Sequence, residues 1–150
     1  MKRRRNKLRM LTHLVWATEK RMPLIMEEIE RDVYRYIQQI CKKRGCEVLA
    51  IGGMPDHLHL LVNLSNTMSL ADLMRHVKGS SSRFITETLK QGGWFGWQEH
   101  YAAFAVSPQD KDVVTAYIQN QKRRHAEGKL WDSLEETDEE YDDGKTDPSE

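Results

Sequence analysis

The chain has 150 residues, and its 23 basic and 23 acidic side chains give a formal net charge of zero at pH 7. This length suits one domain with a modest core, and the short apolar stretches exclude a predicted transmembrane span. The basic start, Met1 to Arg9, lacks the apolar region of a secretory signal. Two cysteines, Cys41 and Cys46, are too few for a zinc site or a disulfide framework. We therefore expect a cytoplasmic protein with free thiols and no membrane contact.

Charge is distributed unevenly along the sequence. Residues 135–150 hold nine acidic residues and one lysine, which leaves 22 basic and 14 acidic residues in 1–134. A basic folded part favours a polyanionic partner, although an ordinary solvated surface accounts for the same charge. The acidic end is poor in apolar residues, which predicts disorder. We expect one domain over 1–134, followed by a disordered acidic tail over 135–150.

The first half of the domain contains three predicted strands and one helix. Apolar residues alternate over 9–17, which favours a strand covered on at least one face. Apolar residues recur at helical spacing over 27–44, and Gly45 suits a helix stop. The apolar runs at 46–52 and 57–64 flank a Gly-Gly-Met-Pro turn, so they predict a β-hairpin.

The second half contains two predicted helices and one strand. Ser69 can cap a helix over about 70–90. The Gly-rich stretch 92–97 is a loop or hairpin tip, and its aromatic residues suit either base stacking or a small satellite core. A strand over 101–107 and a helix over about 110–126 complete the domain.

The element order β-α-β-β-α-β-α predicts an α+β fold of the ferredoxin-like or RRM-like type. Such a fold has a four-stranded antiparallel sheet with two helices packed on one face. The additional C-terminal helix carries Tyr117 and is free to dock on the sheet or on a neighbouring molecule.

The pentapeptide Asp56-His-Leu-His-Leu60 opens the second strand of the hairpin. Residues two apart on a strand point to the same face, so His57 and His59 stand side by side while Leu58 faces the other way. Two imidazoles can ligate one divalent metal ion when a third ligand arrives from elsewhere. With six histidines in the chain, this spacing also arises by chance.

A second pattern is Tyr117-Ile-Gln-Asn-Gln121 in the last helix. A spacing of four residues places the Tyr117 hydroxyl and the Gln121 amide on one helical face. Tyrosine on an amphipathic helix is more often a core residue. A pair of metal-binding histidines together with a tyrosine nucleophile would suit cutting and rejoining of nucleic acid.

With these motifs placed, the chain resembles the single-tyrosine HUH transposases of bacterial insertion sequences, including the REP-associated branch. HUH denotes two histidines around a hydrophobic residue. Four stretches carry the resemblance, and they run in the family's order from about residue 10 to about residue 125: His13 to Arg21, Pro55 to Val62, Val77 to Arg83, and Tyr117 to Gln121.

The resemblance implies a metal-dependent enzyme that cleaves and rejoins single-stranded DNA near hairpins through a 5′-phosphotyrosine. His57, His59 and Gln121 would hold Mg²⁺ or Mn²⁺, and Tyr117 would be the nucleophile. Family members act as homodimers in the bacterial cytoplasm, and nucleoid association would follow from DNA binding. Two neighbours could orient the imidazoles: Asp56, which equally suits a turn residue, and His13, which more often would be a satisfied strand histidine.

Basic and hydroxyl side chains on the last two helices are candidates for DNA binding, although a solvated helix face is the alternative. These residues are Arg75, Lys78, Ser80, Ser81, Ser82, Arg83, Lys122, Arg123 and Arg124. Two other functions remain open. One is a domesticated REP-type nuclease without mobility. The other is a non-catalytic RRM-like nucleic-acid-binding protein, which would carry aromatic residues where this chain has its His pair.

Overall fold

Four strands form one antiparallel sheet in the order β2-β3-β1-β4, which confirms the predicted ferredoxin-like arrangement. The computed structural model describes residues 9–90, 93–131 and 135. Strands β1 and β3 occupy the centre of the sheet, and β2 and β3 form the predicted hairpin around a two-residue turn at Pro55 and Asp56. The strands are β1 (Leu11–Ala17), β2 (Glu47–Met54), β3 (His57–Asn63) and β4 (Ala102–Ala105).

In the described residues, four α-helices accompany the sheet, one more than the sequence predicted. They are α1 (Glu27–Lys43), α2 (Leu70–Phe84), α3 (Lys111–Gln119) and α4 (Gln121–Glu127). A π-helical turn over Ile85–Leu89 extends α2 towards its predicted end, and short 3₁₀ turns cover Glu19–Arg21 and Pro108–Asp110. Among the described residues, no helix has both the length and the apolar composition needed to cross a bilayer.

The prediction of a single helix over 110–126 is wrong because the helix is interrupted at Asn120. This residue has φ −104° and ψ 23°, outside helical values. Its backbone N–H and its Nδ2 both donate to the carbonyl of Ala116 in the last turn of α3, at 3.1 and 2.8 Å. Asparagine favours such local contacts over the helix interior. The Tyr117 and Gln121 side chains therefore belong to two helices that meet at this residue.

Helices α1 and α2 cover one face of the sheet and enclose the main core. Leu14 and Trp16 of β1 and Leu58 and Leu60 of β3 are fully buried there. The helices contribute Val33, Ile37, Leu73, Met74 and Val77. Cys41 and Cys46 are buried in the same core as free thiols, as predicted.

Helix α3 covers the opposite face of the sheet, over β2 and β3. Val114 and Ile118 pack there against Leu61 in a smaller second core. A Cβ atom at Gly52 would lie 2.2 Å from the carbonyl oxygen of Ile118. Only glycine permits so close an approach of the helix backbone to the sheet. The additional helix thus docks on its own sheet, one of the two predicted alternatives.

Candidate metal and nucleophile site

Two buried imidazoles stand side by side on β3. His57 and His59 are 2% and 0% exposed, and their ring centroids lie 5.1 Å apart. Leu58, between them in sequence, packs into the main core on the other face. The alternation of the strand therefore places both rings on one side of the sheet, as the sequence predicted.

Each imidazole is held through its Nδ1 atom by a neighbouring side chain. Asp56 Oδ1 lies 2.8 Å from His57 Nδ1, and His13 Nε2 lies 2.9 Å from His59 Nδ1. An ionised carboxylate only accepts hydrogen bonds, so His57 donates to Asp56 through Nδ1. Metal-binding histidines are commonly oriented in this way, with Nε2 left for the ion. Asp56 and His13 both contact the pair, and their part in catalysis stays a prediction.

Burial and nearby carboxylates set the charge of these imidazoles. Burial lowers the pKa of His59, and burial together with His59 lowers the pKa of His13 to about 3. Burial also acts to lower the pKa of His57, but hydrogen bonds to Asp56 and Glu135 outweigh it and raise that pKa to about 8. The site therefore favours positive charge at His57 and the neutral imidazole form at His59 and His13.

The Glu135 carboxylate lies against the Nε2 atoms of His57 and His59. Its oxygens lie 2.6 Å from His59 Nε2, 3.6 Å from His57 Nε2 and 2.8 Å from His125 Nε2. Burial acts to raise the pKa of Glu135, but hydrogen bonds to His57 and His59 hold it well below its usual range. Glu135 is the first residue of the predicted disordered tail, and here it lies against β3; the disorder of the tail stays a prediction. Residues 136–150 lie outside the described part of the chain.

The donor atoms at this point fit a divalent cation. One ligand atom each from His57, His59 and Glu135 lie within 4.8 Å of one another. His57 Nε2, His59 Nε2 and both Glu135 oxygens are buried. Donor atoms that share one ion lie about 3 to 4 Å apart when each is about 2.1 Å from it. The 3.6 Å between Glu135 Oε1 and His57 Nε2 falls in this range, whereas the 2.6 Å between Glu135 Oε2 and His59 Nε2 is shorter. Two imidazoles and a carboxylate are a common donor set for divalent metals.

Tyr117 lies on α3 directly beside the His pair. Its ring centroid is 5.9 Å from that of His59, in an edge-on arrangement. The Trp131 ring stacks on Tyr117 at 4.5 Å, the Arg124 guanidinium lies 4.8 Å from the ring centroid, and the Trp131 backbone N–H donates to the hydroxyl at 3.1 Å. Burial raises the pKa of Tyr117, and the Trp131 hydrogen bond opposes that shift only in part. Tyr117 is fully buried among these contacts.

Gln121 begins α4 and is buried close to the site. Its Oε1 lies 3.0 Å from His125 Nε2, and its Nε2 donates to the Tyr117 carbonyl at 3.4 Å. Both ends of the amide are therefore engaged within the protein. Gln121 is brought next to Tyr117 as predicted, although across a helix break, and its role as a metal ligand stays a prediction.

The predicted DNA-binding residues of α2 divide into engaged and exposed side chains. Lys78 Nζ donates to the backbone carbonyls of Gln98, Glu99 and His100. Ser81 is fully buried and accepts a hydrogen bond from Trp97, so its hydroxyl is out of reach of DNA in this structure. The remaining side chains are exposed or half-buried, and DNA contact by them stays a prediction: Arg75, Ser80, Ser82 and Arg83.

The basic run after Gln121 also makes contacts within the protein. Lys122 bonds to Glu30 Oε1 at 2.8 Å and to the Gly53 carbonyl, which fixes α4 to α1 and β2. Arg124 packs on Tyr117, and Arg123 is exposed. DNA contact by these three residues stays a prediction.

Four of the described residues at the site were missed in the sequence: Arg21, His125, Trp131 and Glu135. Arg21 Nε lies 3.4 Å from Asp56 Oδ2, and Arg21 Nη2 lies 3.4 Å from His57 Nδ1. It and Lys20 have positive φ values of 52° and 54°, a conformation that costs a non-glycine residue about 1 kcal/mol or more. Arg21 lies in the first stretch that resembles the family, whereas no pattern marked His125 or singled out Glu135 among nine acidic residues.

The amino-acid sequence is similar to those of known transposases. It is 29% identical over 114 residues to the ISDra2 transposase TnpA of Deinococcus radiodurans, covering 73% of this chain and 81% of that protein. It is 28% identical over 75 residues to the transposase of insertion sequence IS200 from Salmonella typhimurium, covering 50% of this chain and 49% of that protein.

Solved structures share the fold. A candidate transposase from Deinococcus radiodurans R1 superposes with a TM-score of 0.62 at 29% identity, covering 81% of this chain and 98% of that one. A REP-associated tyrosine transposase bound to a REP hairpin superposes with a TM-score of 0.61 at 17% identity, covering 87% and 75%. The family model of IS200-like transposases matches residues 6–121. The chain therefore belongs to the IS200-like transposase family.

Proposed function

We propose that this transposase cleaves and rejoins single-stranded DNA at hairpin-bearing ends, with Tyr117 as the nucleophile and Mg²⁺ or Mn²⁺ as the cofactor. The observation that carries the proposal is the distance of 5.9 Å between the ring centroids of Tyr117 and His59, the partner of His57, within one chain. A REP-associated transposase of the same fold was solved with a REP hairpin, which supports a hairpin substrate here.

Tyr117 would attack the scissile phosphorus in line with the departing 3′ oxygen. The bond from the tyrosine oxygen to phosphorus forms, the bond to the 3′ oxygen breaks, and the strand is left with a free 3′ hydroxyl. Burial raises the pKa of Tyr117, so the phenol is protonated at neutral pH and loses its proton during the attack, while the departing 3′ oxygen takes one up. A second 3′ hydroxyl then attacks the phosphotyrosine and releases Tyr117, so the strands rejoin without ATP.

His57 and His59 would hold the metal ion, with a third ligand from Gln121 or Glu135. When bound, the ion supplies Lewis-acid polarisation of the scissile phosphate. Asp56 and His13 fix the orientation of the two rings, and Arg21 carries positive charge to the same edge of the site. Trp131 must leave the face of Tyr117 before DNA enters, since Tyr117 is fully buried.

The packing of α3 on the sheet bears on the choice between an enzyme and a non-catalytic binding protein. RNA-recognition domains of this architecture bind nucleic acid on the sheet face opposite the helices, and here α3 covers part of that face. This favours the enzyme over a non-catalytic RRM-like binder.

Because Tyr117 reaches the His pair of its own chain, we propose a site assembled within one protomer. The homodimer that the resemblance implies stays a prediction. Whether the protein mobilises an insertion sequence or acts as a domesticated nuclease that processes repeats also stays open.

The test uses the full chain with Mn²⁺ and single-stranded oligonucleotides from the DNA that flanks its gene. We expect wild type to form a covalent protein–DNA adduct that a chelator abolishes. Tyr117→Phe should form no adduct while binding the same DNA, and Tyr101→Phe is the matched control that keeps it. Undiminished adduct from Tyr117→Phe would contradict the proposal.

A further inference from the structure

The Gly-rich loop before β4 places its three aromatic side chains in different environments. Phe95 is 6% exposed, and its ring packs edge-on against that of Trp97 at 4.7 Å. Trp97 contacts Trp16 of the main core at 5.7 Å and donates from its Nε1 to Ser81. Trp94 is 55% exposed, and no other Phe, Tyr or Trp side chain among the described residues is exposed. A small satellite core therefore accounts for Phe95 and Trp97 but not for Trp94.

The indole of Trp94 is nevertheless held against the loop. A Cβ atom at Gly96 would lie 3.0 Å from Trp94 Cζ2 and 2.8 Å from Glu19 Oε2. One edge of the ring therefore packs over Gly96, where a larger residue would displace it. A side chain that is already positioned loses less conformational entropy when a ligand stacks on it.

Hydrogen bonds fix the loop beside the end of β1. The Glu19 N–H donates to the Gly96 carbonyl at 2.9 Å, and the Gln98 N–H donates to the Ala17 carbonyl at 2.9 Å. The two segments run antiparallel at this point. Trp94 is thus attached to the 3₁₀ turn Glu19–Arg21, which follows β1 directly.

The same turn leads to the His pair and carries positive charge. Arg21 Nε lies 3.4 Å from Asp56 Oδ2, and Asp56 Oδ1 lies 2.8 Å from His57 Nδ1. Lys20 is exposed, and both Lys20 and Arg21 have positive φ values. Strained residues of this kind cluster at functional sites. An exposed indole and two cations therefore lie on one side of the His pair, and single-stranded nucleic acid binds to such combinations of aromatic and basic side chains.

We propose that Trp94 stacks on an unpaired base of the DNA substrate, close to the scissile phosphate. This inference rests on the proposed cleavage of single-stranded DNA. Lys20 and Arg21 supply positive charge for the phosphates of the same segment. Every base has a π-face, so Trp94 contributes affinity for single-stranded DNA and does not select a particular base.

Fluorescence anisotropy of the full chain with labelled single-stranded DNA from the flanks of its gene tests this inference. A chelator keeps the strand intact during the measurement. We expect Trp94→Ala to weaken binding roughly 5- to 100-fold, as is typical when a base-stacking aromatic residue is replaced by alanine. Trp94→Phe retains a ring and should keep most of the affinity. Met10→Ala removes another exposed apolar side chain, at the opposite end of β1, and should match wild type.

A second series of oligonucleotides locates the stacked base. Each oligonucleotide carries one abasic nucleotide, at a position that moves stepwise along the strand. We expect one position at which the missing base weakens wild-type binding about as much as Trp94→Ala does, and at which Trp94→Ala shows no further loss. Circular dichroism melting of each variant checks that the fold is kept.

The outcomes separate this inference from the function on which it rests. Unchanged DNA binding by Trp94→Ala would overturn the inference and leave the proposed cleavage intact. Losses that add at every abasic position would also overturn it, because no base would then depend on the indole. If wild type binds no single-stranded DNA, the proposed function fails, and the inference fails with it.

Discussion

On β3, alternate residues enter two different environments. Leu58, Leu60 and Val62 point towards α1 and α2 and join an apolar core, whereas His57 and His59 point towards α3 and meet polar groups. The first face needs only apolar volume, which many side chains supply. The second needs particular atoms at particular distances, and these come from β1, α3, α4 and Glu135. One face thus packs the main apolar core, and the other brings together the side chains to which we assign the proposed chemistry.

The largest expected effects come from mutating each of the two faces in turn. His57→Ala with His59→Ala should lower DNA cleavage at least about 100-fold, because the ion loses two ligands. Leu58→Ala should instead lower the free energy of unfolding by about 2–5 kcal/mol, because it opens a cavity in the main core. Cleavage assays and urea titrations of both variants make the comparison. Equal loss of stability in the two variants would contradict the division between the faces.

A substitution at Gly52 tests whether close docking of α3 builds the site. Gly52→Ala places a Cβ atom 2.2 Å from the Ile118 carbonyl oxygen, so α3 must shift. We expect a loss of about 1–3 kcal/mol in the free energy of unfolding, together with slower adduct formation. Gly79→Ala on α2 meets no atom within 4 Å and should gain up to about 1 kcal/mol in helix stability. A Gly52→Ala variant as stable and active as wild type would remove this requirement.

Acid should destabilise the polar face through His13. Burial lowers its pKa in the folded state to about 3, below its unfolded value of 6.5. The unfolded state then binds more protons between these values, so stability is complete above about pH 6.5 and falls as pH falls towards 3. One such histidine costs about 2 kcal/mol on going from pH 7 to pH 5.

His13→Gln, measured by urea unfolding with a chelator at both pH values, should shrink the difference between pH 7 and pH 5 by that amount. His100→Gln replaces an exposed histidine and should leave the difference unchanged. An unaltered difference in His13→Gln would show that His13 is not responsible.

The smallest expected effect concerns Trp131, which covers Tyr117. Trp131→Ala should raise the rate of adduct formation by roughly two- to tenfold, because less free energy is needed to expose the hydroxyl. Trp131→Phe retains a ring that stacks on Tyr117 and should stay near wild type. Quenched time courses with Mn²⁺ measure both rates. A slower rate in Trp131→Ala would indicate that the indole helps to position Tyr117.

The sequence predicted what local periodicity controls. The alternation of β3 placed His57 and His59 on one face, and the order of the elements predicted the sheet. The break at Asn120 was missed because the apolar spacing continues across it, while the backbone angles of this one residue leave helical values and its side chain bonds to Ala116. Glu135 was hidden for a different reason. Nine acidic residues share the last sixteen positions, and only packing in three dimensions selects one of them.

The most direct test of the central claim is to locate the covalent bond itself. The chain contains five tyrosines, so peptide mass spectrometry of the protein–DNA adduct formed with Mn²⁺ can distinguish among them. We predict a nucleotide attached through its 5′ phosphate to Tyr117, absent without the metal ion and in the His57→Ala, His59→Ala double variant. A nucleotide on another residue, or on Tyr117 in the presence of chelator, would contradict the joint action of Tyr117 and the His pair.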